Sequence, residues 1–217
     1  MLGTHWLLAG AFFGACVGVI AQVPMEKEPR HHVVFENEAL RVVEPSIPPG
    51  DTTLEHLHAH DDATVCISGA HLRVRRQGAD WGPVGEPCRL GQINATEYAG
   101  KPASHTVQNT GSGVFRLAVV ENLRESGWST NPPLLAASTV LAKETRAFQI
   151  YEVTLDPRSR ETSHVHKNPT IIVLVTGDVT VGKQQLGQPG RWVLIPGDEP
   201  HRLSTKSESK IVEIEVR

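Results

Sequence analysis

The sequence predicts an all-β protein made of two similar small barrels in tandem. Three observations predict it. From residue 33 onward the chain runs in short apolar stretches such as Val33-Val34-Phe35, Leu40 to Val43, Thr64 to Ile67 and Val114 to Val120, each broken by Gly, Pro, Asn or Asp, which is the signature of strands and turns. No apolar spacing of 3.6 residues is sustained between them, so helices are not expected. Finally, the sequence repeats against itself at an offset of 108 residues: Arg41-Val42-Val43-Glu44 falls on Gln149-Ile150-Tyr151-Glu152, Pro49 on Pro157, His56-Leu57-His58 on His164-Val165-His166, and Gly69 on Gly177. Each copy is about 90 residues, too short for a large open sheet but enough for a small closed antiparallel barrel, which leaves few unpaired strand edges.

The segments follow in order. Residues 1–21 read as a signal peptide: the first 25 residues carry no Lys, Arg, Asp or Glu, and an apolar stretch from Trp6 to Ala21 ends in Val19-Ile20-Ala21, a small-residue cleavage point. The alternative is an uncleaved N-terminal anchor, and Phe13-Gly14-Ala15-Cys16 approximates a lipoprotein box with Phe13 at an unusual position. The expected localisation is therefore exported, periplasmic or extracellular. The first barrel is expected over 33–122, a connection over 123–145 containing Asn131-Pro132-Pro133, and the second barrel over 146–217. Pro133 to Val140 reads either as a short helix or as part of the connection.

Composition narrows the function classes. A net charge of −3, with 24 acidic and 21 basic residues and no basic cluster, disfavours nucleic acid or an anionic membrane as partner and leaves a small-molecule ligand or substrate. No Gly-rich phosphate loop, nucleophile elbow or Cys-x-x-Cys pair is present. Beyond the leader two cysteines remain; Cys66, in a β-branched run, reads as a small buried apolar side chain rather than as half of a bridge to Cys88. Trp81, Trp128 and Trp192 read as packing residues, and Arg73, Arg75 and Arg76 as a solvated strand face.

The histidines carry the chemistry. Alternate residues of a strand share a face, so His56 and His58 point the same way, and His164 and His166 repeat the arrangement. Asp62 follows His58 by four residues and His105 arrives later, giving three imidazoles and a carboxylate. That mixed nitrogen and oxygen set suits a divalent transition metal: Mn, Fe, Co, Ni, Cu or Zn. In the second copy Thr170 stands where the acid would be, leaving His164, His166 and His201 with no carboxylate. Such a site is either a three-histidine centre with open positions or an inactive copy kept for packing.

With these spacings the sequence resembles the cupin superfamily, whose first motif is G-x5-H-x-H-x3-or-4-E-x6-G and whose second is G-x5-P-x-G-x2-H-x3-N. Gly50-x5-His56-x-His58-x3-Asp62-x6-Gly69 follows the first with Asp for Glu, and His105-x3-Asn109 ends the second, although Gly100-Lys101-Pro102 disturbs the turn before it. In the second copy Arg158 and Thr170 depart from the first motif, while Gly190-x5-Pro196-x-Asp198-x2-His201 keeps the second with Asp198 for Gly. The resemblance covers residues 33 to 217 and implies a two-domain cupin, or bicupin, of jelly-roll barrels. It implies a metal-dependent enzyme on a small organic substrate, with a dioxygenase like the quercetinase-type bicupins favoured. The other reading is a non-catalytic exported protein that binds a sugar or other small molecule; cupins also form homodimers.

Overall fold

A computed structural model describes residues 22–124, 131–134, 138–158 and 162–217. The leader read at residues 1–21, and Trp128, lie outside the described residues. Among the described residues the chain is β apart from one 3-10 turn, Met25–Lys27, and no helix is long and apolar enough to cross a membrane.

The first copy contributes β1 (Val23–Pro24), β2 (His31–Glu36), β3 (Leu40–Ile47), β4 (His56–His58), β5 (Asp61–Ser68), β6 (Leu72–Arg76), β7 (Ile93–Thr96), β8 (Ala103–Asn109) and β9 (Phe115–Asn122). They form a large sheet ordered β2-β3-β9-β5-β7 and a small one ordered β1-β4-β8-β6. The second copy contributes β10 (Thr139–Glu144), β11 (Phe148–Leu155), β12 (Thr162–His164), β13 (Thr170–Thr176), β14 (Val179–Val181), β15 (Gln184–Leu186), β16 (Trp192–Ile195), β17 (His201–Ser204) and β18 (Ser209–Val216). Its large sheet is β10-β11-β18-β13-β16 and its small sheet β12-β17-β14-β15, the same plan except that the small sheet has β15 at one edge in place of β1 at the other. β10 falls inside the stretch read as a connection: it is an edge strand paired with β11, so the second barrel starts before residue 146, and Thr139 and Val140 are strand rather than helix. Likewise β1 and β2 place residues before 33 within the first barrel.

The two large sheets face each other. Alternation decides which side chains meet there: Leu40, Val42, Ala63, Val65, Ala118 and Val120 of the first copy pack with Phe148, Ile150, Ile171, Val173, Val212 and Ile214 of the second in one buried cluster. This explains why the strands read as nearly continuous apolar runs: both faces of each large sheet are covered. Trp192 packs edge-on against Phe35 at 6.0 Å between ring centroids and donates from Nε1 to Glu44 Oε1 at 3.2 Å, across the same seam.

The opposite, inward faces of the large sheets differ between the copies. Strand register makes Val43 equivalent to Tyr151, Thr64 to Ile172, Cys66 to Leu174, and Val119 to Glu213, since Val119 lies opposite Val43 and Thr64 while Glu213 lies opposite Tyr151 and Ile172. Tyr151, Ile172 and Leu174 fill the second barrel in a buried cluster with Leu203 and Ile211. The smaller Val43 and Thr64, and a Cys66 drawn away, leave a cavity of about 240 Å³ in the first.

Cys66 is buried, as expected, but it is not free: it is bonded to Cys88, which corrects the sequence reading. The bridge pins the long β6–β7 loop onto β5. A Cβ at Gly69 would stand 2.1 Å from the carbonyl oxygen of Cys88, so only glycine admits this close approach. The bridged residues are 22 apart, and closing a loop of that length restricts the unfolded chain by about 3 kcal/mol. Chemical denaturation with and without reductant is expected to show a loss of that size; a change below about 0.5 kcal/mol would mean that the bridge constrains nothing the sheets do not already hold.

The motif departures also find local explanations. Asp198, at a motif glycine, has φ 61°, a left-handed conformation that Asp tolerates better than most side chains. Asn109 is fully buried and donates from Nδ2 to the carbonyls of Ile47 and Gly113 at 2.8 and 2.7 Å, locking the turn after β8.

Candidate metal centres

Each barrel gathers histidines inside, where the small sheet meets the large one. In the first, β4 and β8 pair antiparallel with His56 directly opposite His105, and period-2 alternation sets His58 on the same face as His56. One ligand atom from each of His56, His58 and His105 falls within 4.8 Å of the others. His56 Nδ1 donates to the carbonyl of Leu54 at 2.9 Å, which fixes the tautomer and leaves Nε2 as a lone-pair donor. That Nε2 is buried without a hydrogen-bond partner, as are both ring nitrogens of His58. Burial, reinforced by neighbouring imidazoles, lowers the pKa of His56 to about 4 and of His105 to about 2, so both rings are neutral near pH 7, the form that binds metal.

Asp62 does not join this cluster. Its Oδ2 lies 3.3 Å from His58 Nδ1 without the alignment of a hydrogen bond, and it is not among the donors that gather within 4.8 Å of one another. The side chain is one methylene shorter than the glutamate of the motif. Burial raises its pKa, opposed by His58.

Sequence reasoning missed two members of this site. His31, on β2, packs edge-on against His56 with ring centroids 4.7 Å apart and has Nδ1 bonded to the carbonyl of Met25 at 3.0 Å. Burial, then His56, lowers its pKa to about 3. Tyr98 packs against His58 at 4.8 Å, and burial raises its hydroxyl pKa. Neither has a spacing that ties it to the motif, and His31 lies before it. All of these residues line the cavity, whose remaining wall is largely apolar: Met25, Ile47, Leu72, Val74, Phe115 and Leu117.

In the second barrel His164 of β12 lies opposite His201 of β17, repeating the first. His164, His166 and His201 gather with one residue the sequence reading did not include, Glu213 of β18, their ligand atoms within 4.8 Å. The expectation of three imidazoles without a carboxylate is therefore corrected. Thr170 is not the acid, and its hydroxyl donates to the carbonyl of Asn168 at 3.1 Å; the carboxylate comes instead from the facing strand, where strict alternation along Ser209–Val216 turns Glu213 inward. Glu213 Oε2 lies 3.2 Å from His164 Nε2 and 3.1 Å from His166 Nε2. His166 Nδ1 lies 3.1 Å from Glu215 Oε2. Burial disfavours the charged ring of His166, but the flanking Glu213 and Glu215 outweigh it and lift its pKa to about 9. Glu213 itself, despite complete burial, is held well below the usual carboxylate range by His164, His166 and His201. His201 has both ring nitrogens buried without a hydrogen-bond partner, as does Glu213 Oε1. Orphaned donors of this kind, in clusters whose ligand atoms lie within 4.8 Å of one another in each barrel, fit a transition metal chemically.

These features define a two-barrel β protein with a histidine cluster inside each barrel. The fold is that of the cupins, in its bicupin form. No family model matches the sequence, and no curated protein matches it. Among solved structures, YhhW from Escherichia coli is similar at TM-score 0.60 with 14% identity over 86% of this chain and 89% of that one. A second structure, of the bacterial pirin YhhW from Escherichia coli in complex with nickel(II), is similar at TM-score 0.60 with 16% identity over 85% of this chain and 89% of that one. Salicylate 1,2-dioxygenase from Pseudoaminobacter salicylatoxidans, as adducts with gentisate, is similar at TM-score 0.58 with 10% identity over 84% of this chain and 70% of that one.

Proposed function

We propose that the first barrel is the active site of a metal-dependent enzyme that acts on a small, largely apolar organic molecule, with a dioxygenase reaction favoured. The observation that carries this reading is the meeting of His56, His58 and His105 on the wall of an open apolar cavity. Three protein ligands leave coordination positions free, which is what a catalytic ion needs and a structural ion does not. A bound ion would supply Lewis-acid or one-electron chemistry at that point. The likeness to a dioxygenase structure that holds gentisate supports the subtype by fold alone.

The protein's own groups do the rest. The apolar wall takes up the body of the substrate and excludes water. Asp62 and Tyr98, side by side with His58, are the groups placed to hydrogen-bond a polar substituent and turn it toward the imidazoles. A sugar, with a hydroxyl on almost every carbon, would leave most of its polar groups unpaired against this wall, so the sugar-binding alternative has less support. The Cys66–Cys88 bridge and the leader-like start support an exported location, where such a bridge persists.

The test is metal content and activity of the full chain expressed with Mn, Fe, Co, Ni, Cu or Zn supplied in turn. One equivalent that disappears in His58→Ala and in His105→Ala, together with oxygen uptake on hydroxylated aromatic acids, is the expected result. Unchanged metal stoichiometry in both variants would refute the ligand assignment.

A further inference from the structure

We propose that His31 is an anchor for the substrate: its Nε2 accepts a hydrogen bond from a hydroxyl or N–H group of the molecule held in the first-barrel cavity, so that the site prefers hydrogen-bond donors to their methyl ethers. The proposal rests on the reading of that cavity as the substrate site and adds to it the chemistry of the substrate's polar group.

Strand pairing turns His31 inward. On β2 it lies directly opposite Pro45 of β3, and cross-strand partners share a face. Both residues line the cavity. The 3-10 turn before the strand then fixes the ring. Met25 is buried, and its carbonyl oxygen lies 3.0 Å from His31 Nδ1. A carbonyl only accepts, so Nδ1 carries the hydrogen. Burial favours the neutral ring, whose one lone pair is then on Nε2. Among the described residues no group donates to that nitrogen.

The lone pair is not spent on the imidazole trio. His31 packs against His56, yet it is not among the residues whose ligand atoms fall within 4.8 Å of one another. Two ligands of one ion, with bonds of about 2.0–2.1 Å, stand no more than about 4.2 Å apart. His31 is therefore beside the trio and outside it. A molecule in the cavity meets polar groups at two places, His31 next to His56 and Tyr98 next to His58.

The second copy separates the two roles that such a histidine can have. Thr139 of β10 lies opposite Val153 as His31 lies opposite Pro45, and each member of one pair is 108 positions from its counterpart in the other. Both barrels have a histidine trio, but only the first has an imidazole at this place. Where Tyr151, Ile172 and Leu174 fill the interior the position is threonine, and where the interior is open it is histidine. The acceptor thus accompanies the cavity and not the trio. A donor placed against Nε2 satisfies it, whereas an ether oxygen sets lone pair against lone pair, and a group positioned to accept discriminates against the analogue that cannot donate.

The experiment titrates 2-naphthol and its methyl ether, 2-methoxynaphthalene, into the full chain at pH 7, as purified and after dialysis against EDTA. The wild type is expected to bind the naphthol about tenfold more tightly than the ether in both preparations. His31→Phe keeps a ring of similar size without the acceptor, and should bring the ratio within about twofold by weakening the naphthol alone. His31→Gln offers an oxygen acceptor and should recover part of the preference. A crystal structure of the wild type with 2-naphthol should place the naphthol oxygen within about 3.2 Å of His31 Nε2, a readout that holds even if His31→Phe does not fold. A wild type without the preference, a preference that EDTA removes, an unchanged ratio in His31→Phe, or a naphthol oxygen on another partner would each overturn the proposal. Failure of the metal-enzyme reading would show instead in the metal that depends on His58 and His105 and in turnover, and would leave the ratio in the EDTA-treated protein unchanged.

Discussion

Thr64→Phe is expected to abolish turnover by at least about a hundredfold while the first cluster keeps its metal. Thr64 lies on β5, faces the cavity, and sits where the second barrel has Ile172. A benzyl group there occupies the space that substrate needs. It enters a void rather than a packed core, so the stability cost should stay within the 1–3 kcal/mol typical of overpacking, and an aromatic residue is well suited to a strand. The measurement pairs activity with elemental analysis on the same preparation. Full activity in Thr64→Phe would mean that the cavity is not where substrate binds; loss of metal along with activity would mean that the substitution disturbs the imidazoles and says nothing about substrate.

The second large effect concerns stability. Phe148→Ala should destabilise the protein by about 3–5 kcal/mol, because Phe148 is among the largest fully buried side chains and belongs to the cluster shared by both large sheets. The void opens at the seam between the barrels, so both halves should lose stability together and unfold in one shifted transition. A cost below about 1 kcal/mol, or a second transition confined to one barrel, would show that the seam couples them weakly.

Much of this was legible in the sequence because it depends on local periodicity. The Leu40 to Val43 and Thr64 to Ile67 runs gave strands, the 108-residue repeat gave two copies, and the two H-x-H pairs gave the side of the sheet on which imidazoles gather. What escaped depends on pairing between distant strands. Glu213 is one acidic residue in Ile211-Val212-Glu213-Ile214-Glu215-Val216, and its alternation says which residues share its face but not that this face is the interior. Only the register against β11 and β13 places it among the histidines. His31 escaped for the same reason, since no motif reaches back to β2. The Cys66 reading missed because a buried β-branched context suits a bonded cysteine as well as a free one, and the geometry that separates them lies in the β6–β7 loop. Asp62 has the motif's spacing but does not gather with the imidazoles: spacing can place a residue on a face but cannot say whether its side chain reaches.

The seam has a consequence for how the two copies diverge. A side chain that faces the other copy answers to two partners at once, so Val42 and Ile150, Val65 and Val173, and Val120 and Ile214 all remain aliphatic at matching places. A side chain that faces its own barrel answers only to that interior, and there the matching places differ in kind: valine against tyrosine, threonine against isoleucine, valine against glutamate. Pressing the large sheets together thus conserves one surface of each strand and frees the other, letting a repeated architecture support two different chemistries.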